Sequence, residues 1–104
     1  MKVLVTGAGG QVGLDLLRIL QARGDEVHAS DVNPPGEEHR HGVPWHRLDV
    51  TSAPDVEALF AELRPEVVFH LAAILSARGE QDPMRTYAVN QGGTVNILEA
   101  ARKH

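Results

Sequence analysis

The sequence predicts an α/β fold, a doubly wound parallel sheet with helices on both faces. Three observations predict it. Short runs rich in β-branched residues alternate with stretches of helical periodicity, as in chained βαβ units. The connections are mostly short, which favours right-handed crossovers and parallel neighbours. Finally, glycines cluster at the first strand-to-helix junction, in Thr6-Gly7-Ala8-Gly9-Gly10-Gln11-Val12-Gly13.

Each element follows from local chemistry. Lys2-Val3-Leu4-Val5-Thr6 is apolar and β-branched, as a buried parallel strand should be. Val12, Leu16, Leu17, Ile19 and Leu20 repeat at helical spacing until Gly24-Asp25 stops the helix. Glu26–Ser30 reads as the second strand, ending at Asp31. Asn33-Pro34-Pro35-Gly36 is a turn, and the polar stretch to Val43 is a surface loop. Trp45–Leu48 makes a short third strand that ends at Asp49-Val50. Ser52-Ala53-Pro54-Asp55 has the form of a capping box with proline in the first turn. Behind it, Val56, Leu59, Phe60 and Leu63 form an apolar face until Arg64-Pro65 ends the helix. Glu66–Leu71 is the fourth strand, and 72–81 is a crossing loop. Asp82-Pro83 opens a last helix, with Tyr87, Thr94, Ile97, Leu98 and Ala101 on one stripe. The expected sheet order is 3-2-1-4, within a single domain over residues 1–104.

Composition narrows the functional classes. The 104 residues are 42% hydrophobic and 23% charged, ordinary for a globular domain. A net charge of −4 with no Lys/Arg cluster argues against nucleic acid. With no cysteine, disulfides, thiolate metal sites and cysteine nucleophiles are excluded. No charged and apolar leader opens the sequence, and no apolar run approaches the ~20 residues that span a bilayer. No membrane association is expected, and a cytoplasmic location is. His39, His41 and His46 lie in or beside a polar loop, without carboxylate or thiolate at ligand spacing. They read as a solvated histidine-rich loop, and no metal is expected. Ser76 lies in no nucleophile elbow.

The glycine cluster carries the chemistry. Gly7, Gly10 and Gly13 can each have a separate job: a tight turn, a close approach of backbone N–H groups to phosphate, and close packing of helix on strand. The helix start at Gln11-Val12 supplies N–H donors and a positive dipole end for a pyrophosphate. Asp31 follows Gly13 by 18 residues. A carboxylate there can accept both ribose hydroxyl protons of NAD and repel the 2′-phosphate of NADP, although a solvated strand-end acid would look the same in sequence. Arg40 is the nearest following arginine and sits in a loop, so NAD is the expected cofactor. Asp49-Val50 can bracket an adenine, the carboxylate accepting from the exocyclic amine and Val50 packing on the ring. The alternative for Asp49 is a turn-initiating or capping role. His70-Leu71-Ala72-Ala73 ends the fourth strand where the strand order reverses, and the small alanines let backbone approach a cofactor ribose. His70 reads equally well as a wall histidine.

Together these residues resemble the extended short-chain dehydrogenase/reductases, the NAD-dependent epimerase/dehydratase group. The resemblance spans the whole chain. It rests on Thr6-Gly7-x-x-Gly10-x-x-Gly13, Asp31, Asp49-Val50, His70-Leu71-Ala72-Ala73 and Val89-Asn90-x-Gly92-x-Thr94, with Asn96-Ile97-Leu98-Glu99-Ala100-Ala101 behind it. It implies a Rossmann-type domain, an NAD cofactor and an oxidoreductase acting on a secondary alcohol of a small substrate. Asn90 would help shape the helix and cofactor site, unless it is simply an exposed helix residue. Gly92 and Gly93 would let the helix lie close to the sheet. Residues 73–83 look most like the short-chain-type L-threonine 3-dehydrogenases, where the residue matching Ser76 faces the substrate; sugar-nucleotide epimerases share the flanking motifs.

One departure matters. Catalysis in this family uses a Tyr with a Lys four residues later. The single Tyr here is Tyr87, followed at that distance by Gln91, and the lysines are Lys2 and Lys103. No catalytic residue is therefore assigned, and the sheet is expected to be truncated, without the catalytic and substrate-binding half. The expected role is the NAD-binding portion of such an enzyme, with a stand-alone dinucleotide-binding or purely structural module as the alternative. An open fourth strand, and a last helix whose outer face contributes to dimers in this family, lead us to expect a homo-oligomer.

Overall fold

The computed structural model describes residues 1–36, 42–71 and 92–104. Within them the elements run β1 (Lys2–Thr6), α1 (Gln11–Ala22), β2 (Glu26–Asp31), β3 (Trp45–Arg47), α2 (Ala53–Leu63), β4 (Val67–His70) and α3 (Gly93–Lys103). The four strands form one parallel sheet in the order β3-β2-β1-β4, as the sequence predicts. Register places Val5 beside Ala29 and Phe69, so the C-terminal ends of β1, β2 and β4 lie level at one edge.

Strand alternation divides the core in two. Val3 and Val5 face α1 with Val27, Ala29, Leu17, Leu20 and Trp45. Leu4 faces the other way, onto Val56, Phe60, Leu63 and Ile97 from α2 and α3. Because β1 is central, both its faces are covered, and Leu4 and Val5 have no solvent exposure. Residues buried on both faces of a parallel sheet read as a continuous apolar run, and that is why Val3-Leu4-Val5 shows no polar alternation.

The helices bury only part of the apolar residues that the sequence places at helical spacing. On α1 the buried stripe is Gly13, Leu17 and Leu20, whereas Val12 and Ile19 are exposed. Gly13 causes this: a Cβ there would lie 2.6 Å from the Ala8 Cα, so helix backbone meets loop backbone directly. On α3 the buried residues are Gly93, Ile97 and Ala100, while Leu98 is 64% exposed. Thr94, Ile97, Leu98 and Ala101, the described members of the stripe read from the sequence, together line a groove beside β4. The opening of the last helix at Asp82-Pro83 lies outside the described residues, as does Tyr87.

Helix ends show one further correction. Ser52 is the N-cap of α2 and Pro54 sits in its first turn, but the Ser52 side chain makes no capping bond. Its carbonyl accepts from the Val56 N–H at 3.0 Å, and the preceding turn is closed by Asp49 instead. At the other end Arg64 adopts φ 48°, a left-handed turn that ends α2 ahead of Pro65. Glu66 and Leu71 fall outside β4, although the Glu66 N–H donates to the Lys2 carbonyl and the Leu71 N–H to the Thr6 carbonyl.

Gly13→Ala has no room, because its contacts are backbone atoms that no rotamer change can move. It should lower unfolding free energy by about 1–3 kcal/mol in urea titrations, as overpacking does. Acid should also weaken the fold. Burial holds the His46 imidazole below its ordinary pKa, reinforced by neighbouring His28 and opposed by Glu62, and burial alone does the same to His70. The native state thus binds fewer protons than the unfolded chain as the pH falls past the ordinary imidazole value. The resulting stability is full above about pH 6.5 and is lost as the pH falls through the depressed native values. Urea midpoints should drop between about pH 7 and about pH 5, and His46→Gln should flatten that slope.

Candidate functional site

The C-terminal ends of β1, β2 and β4 meet the start of α1, and here most of the described candidate residues converge. Gly7 has φ +62°, a conformation that L side chains rarely adopt, and it turns the chain off β1. Gly13 seats the helix on Ala8. Between them Gly10 is the N-cap of α1, with extended backbone, no side-chain capping bond and no acid in the first turn. The first bond of the helix runs from the Leu14 N–H to the Gly10 carbonyl, at 3.0 Å. The N–H groups of Gln11, Val12 and Gly13 precede it and have no partner within the helix. A Cβ on Gly10 would meet only the Gly7 carbonyl, at 3.9 Å, so the mouth of the helix is open.

Asp31 ends β2 and reaches back to this loop. Its Oδ2 accepts from the Gly9 N–H at 2.9 Å. Sequence reasoning missed Gly9, which lies outside the three-glycine spacing. A Cβ there would sit 2.8 Å from Asp31 Oδ2, so the carboxylate can lie over the loop only because position 9 has no side chain. The loop is also tied to β2 by the Ala8 N–H, which donates to the Ser30 carbonyl at 3.1 Å.

At the neighbouring strand end, Thr6 and His70 stand side by side in the β1–β4 register. Thr6 Oγ1 lies 2.7 Å from His70 Nδ1 and accepts from the Leu71 N–H at 3.1 Å. This buried hydroxyl fixes both the His70 ring and the chain leaving β4 at Leu71. His70 thus reads as a structural wall residue, and its lowered pKa keeps the ring neutral near pH 7.

Asp49 and Val50 follow β3. Asp49 Oδ1 accepts from the Thr51 N–H at 2.9 Å and from the Thr51 hydroxyl at 2.6 Å. Asp49 therefore takes the turn-forming role, in a residue that is exposed. Val50 corrects the expectation. It is 4% exposed, its side chain turned beneath α3 against Gly93, so the side chain is not available as a wall for a ring. Ala72, Ala73, Ser76 and Asn90 lie outside the described residues.

A groove of about 500 Å³ lies between β4 and α3, lined by Pro65, Val68, His70, Thr94, Leu98 and Ala101 among others. It marks the open flank of the sheet rather than the loop chemistry. Among the described residues no group of three or more His, Cys, Asp or Glu side chains could hold a metal ion. No helix among them is long and apolar enough to cross a membrane.

The cradle fits a dinucleotide on the structure's own terms: an uncapped helix start, a loop without side chains facing it, and a carboxylate at the adjoining strand end. Comparison with known proteins points the same way. The chain is 37% identical over 108 residues to an uncharacterized epimerase/dehydratase of Staphylococcus saprophyticus, covering 99% of this chain and 33% of that relative. It superimposes on a Thermus thermophilus UDP-glucose 4-epimerase in complex with NAD with a TM-score of 0.88 and 40% identity, covering 99% of this chain and 34% of the other. An L-threonine dehydrogenase from Clostridium difficile gives a TM-score of 0.89 at 31% identity, over 98% of this chain and 33% of the other. The chain spans about a third of the length of the relatives it matches. Residues 3–104 match the model of the NAD dependent epimerase/dehydratase family, and the chain belongs to that family.

Proposed function

We propose that this chain is the NAD-binding part of an NAD-dependent oxidoreductase acting on a secondary alcohol of a small substrate, threonine-like or a sugar nucleotide. The observation that carries the reading is the Asp31 carboxylate held over the glycine loop by the Gly9 N–H, beside an uncapped helix start. In this reading Gly7, Gly10, Gln11, Val12 and Gly13 shape and supply the pyrophosphate cradle. Asp31 accepts from the adenosine ribose hydroxyls through the oxygen that Gly9 does not hold. The Asp49 carboxylate meets the exocyclic amine of the adenine, with Val50 contributing backbone rather than side chain. Leu71, Ala72 and Ala73 line the cofactor's path across the end of β4. Asn90 shapes the start of the last helix, and Ser76 faces the substrate.

When bound, NAD accepts hydride from the substrate carbon; the residues named here bind and orient it. The 104 residues hold no Tyr followed four positions later by Lys, so binding rather than turnover is the function proposed for this stretch of chain. Both a threonine dehydrogenase and a UDP-glucose 4-epimerase stand among the similar structures, and this supports keeping both substrate classes in the proposal.

The cofactor assignment is tested by calorimetry with NAD and NADP. A negative charge at Asp31 should favour NAD, and Asp31→Ala should weaken NAD binding by about tenfold or more, the loss expected for a charge-assisted hydrogen bond. Equal affinity for the two dinucleotides would refute the role.

Assembly is tested separately. β4 has one paired edge among the described residues, and the exposed Leu98 lines the groove beside it. An unprotected edge next to apolar side chains favours pairing with a second copy. The 104-residue chain should therefore sediment as a dimer or larger at micromolar concentration; a single species of 11.3 kDa would count against this.

A further inference from the structure

The turn after β3 is braced from an unexpected direction. Asn96, on the first turns of α3, donates from Nδ2 to the Val50 carbonyl at 2.9 Å. That carbonyl belongs to the Val50–Thr51 peptide. The N–H of the same peptide donates to Asp49 Oδ1 at 2.9 Å. One peptide plane is thus held at both ends, by an amide from α3 on its oxygen and by the Asp49 carboxylate on its nitrogen.

Two further contacts tie the same turn without reaching the Val50 carbonyl. The Thr51 hydroxyl reaches the same Asp49 oxygen at 2.6 Å, and the Ser52 N–H donates to the Asp49 carbonyl at 3.0 Å. Gly93, one turn before Asn96, allows the approach: a Cβ at position 93 would lie 2.6 Å from Val50 Cγ2. Rotating the peptide to release Asn96 would swing the Thr51 N–H away from Asp49. A hydrogen bond to a peptide carbonyl also polarises its N–H, strengthening the bond to Asp49.

We infer that Asn96 is a positioning residue for base recognition: it aims the Asp49 carboxylate through the Val50–Thr51 peptide and so sets the preference for a 6-aminopurine at this turn. The inference rests on the proposal that Asp49 meets the base. A fixed carboxylate accepts from the 6-amino group of adenine. Hypoxanthine carries a carbonyl oxygen at that position, and two acceptors repel. A carboxylate held through Thr51 alone, on a peptide that Asn96 no longer fixes, discriminates less, because it can shift with that peptide away from the carbonyl or toward water. Asn96 touches no nucleotide in this account and acts only through Asp49.

The test compares AMP and IMP as probes, with affinities read from NMR titration of the 104-residue chain, a method that reaches weak binding. The unaltered chain should prefer AMP. Asn96→Ala should weaken AMP binding about three- to tenfold, the effect of one hydrogen bond, while leaving IMP nearly unchanged, so that the ratio collapses. Asn96→Asp keeps the shape but places an acceptor against the Val50 carbonyl, and should lose the ratio too. Glu57→Gln serves as the structural control. It weakens a different tie between α2 and the end of α3, the Glu57–His104 contact, by removing the carboxylate charge, and should lower stability without changing the AMP/IMP ratio. A preference for AMP that survives both Asn96 variants would overturn the role of Asn96. Equal binding of AMP and IMP by the unaltered chain, or no binding of either, would instead overturn the base-binding role of Asp49, and the inference with it. A ratio lost equally in Glu57→Gln would reduce Asn96 to general support of α3.

Discussion

The contact on which the site depends is that of Gly13 with Ala8, backbone against backbone. A Cβ at position 13 would stand 2.6 Å from Ala8 Cα and carbonyl oxygen, so only glycine allows α1 to start directly on the end of β1. That approach has two effects. It rotates α1 so that Gly13, Leu17 and Leu20 face the sheet, leaving Val12 exposed at the helix mouth. It also draws the Gly9–Gly10 corner close enough to β2 for the Asp31 carboxylate to accept from Gly9. The cradle is a by-product of how closely the first helix can lie on the first strand.

Much of this was legible in the sequence. The strands were readable because a parallel sheet covered on both faces selects short apolar runs, as in Val3-Leu4-Val5 and Val67-Val68-Phe69. The glycine jobs were readable as well, since spacing between a strand and a helix constrains backbone geometry more than composition does. Helix faces were less legible. Periodicity marks which residues share a stripe but not which stripe a glycine brings against the sheet. On α3 Gly93, Ile97 and Ala100 are buried, while Leu98, on the same stripe as Ile97, is exposed.

The polar details divide in the same way. Asp31 and Asp49 are visible in the sequence as strand-end acids, and the bond of Asp49 to Thr51 two residues on is the turn-initiating alternative; the partner of Asp31, Gly9, lies 22 positions away and carries no sequence signature for the role. Ser52-Ala53-Pro54-Asp55 looked like a capping box, yet Asp49 organises that turn and the serine side chain does not cap. A short acid can serve a turn as well as a serine can. Val50 was read as a wall because it is apolar and adjacent to Asp49; its burial under α3 follows from Gly93, 43 positions later in the chain. Contacts between distant segments are the part of a fold that local pattern carries least.

The strand order bears on how the molecule assembles in time. β1 is bonded on one side to β2 and on the other to β4, and the Thr6–His70 hydrogen bond joins residues 64 apart in sequence. The β1–β2 pair closes a much shorter loop, with Lys2 opposite Glu26. Loop-closure entropy grows slowly, about 0.6 kcal/mol for each doubling of length, so the longer closure is a modest thermodynamic burden. Kinetically it matters more, because parallel pairings over long separations form late. Until β4 docks, the bonds of Thr6 Oγ1 to His70 and Leu71 are unmade, and the far edge of β1 is open. The β1–β4 seam, whose end carries His70 and Leu71, is therefore expected to be the last part of the sheet to close.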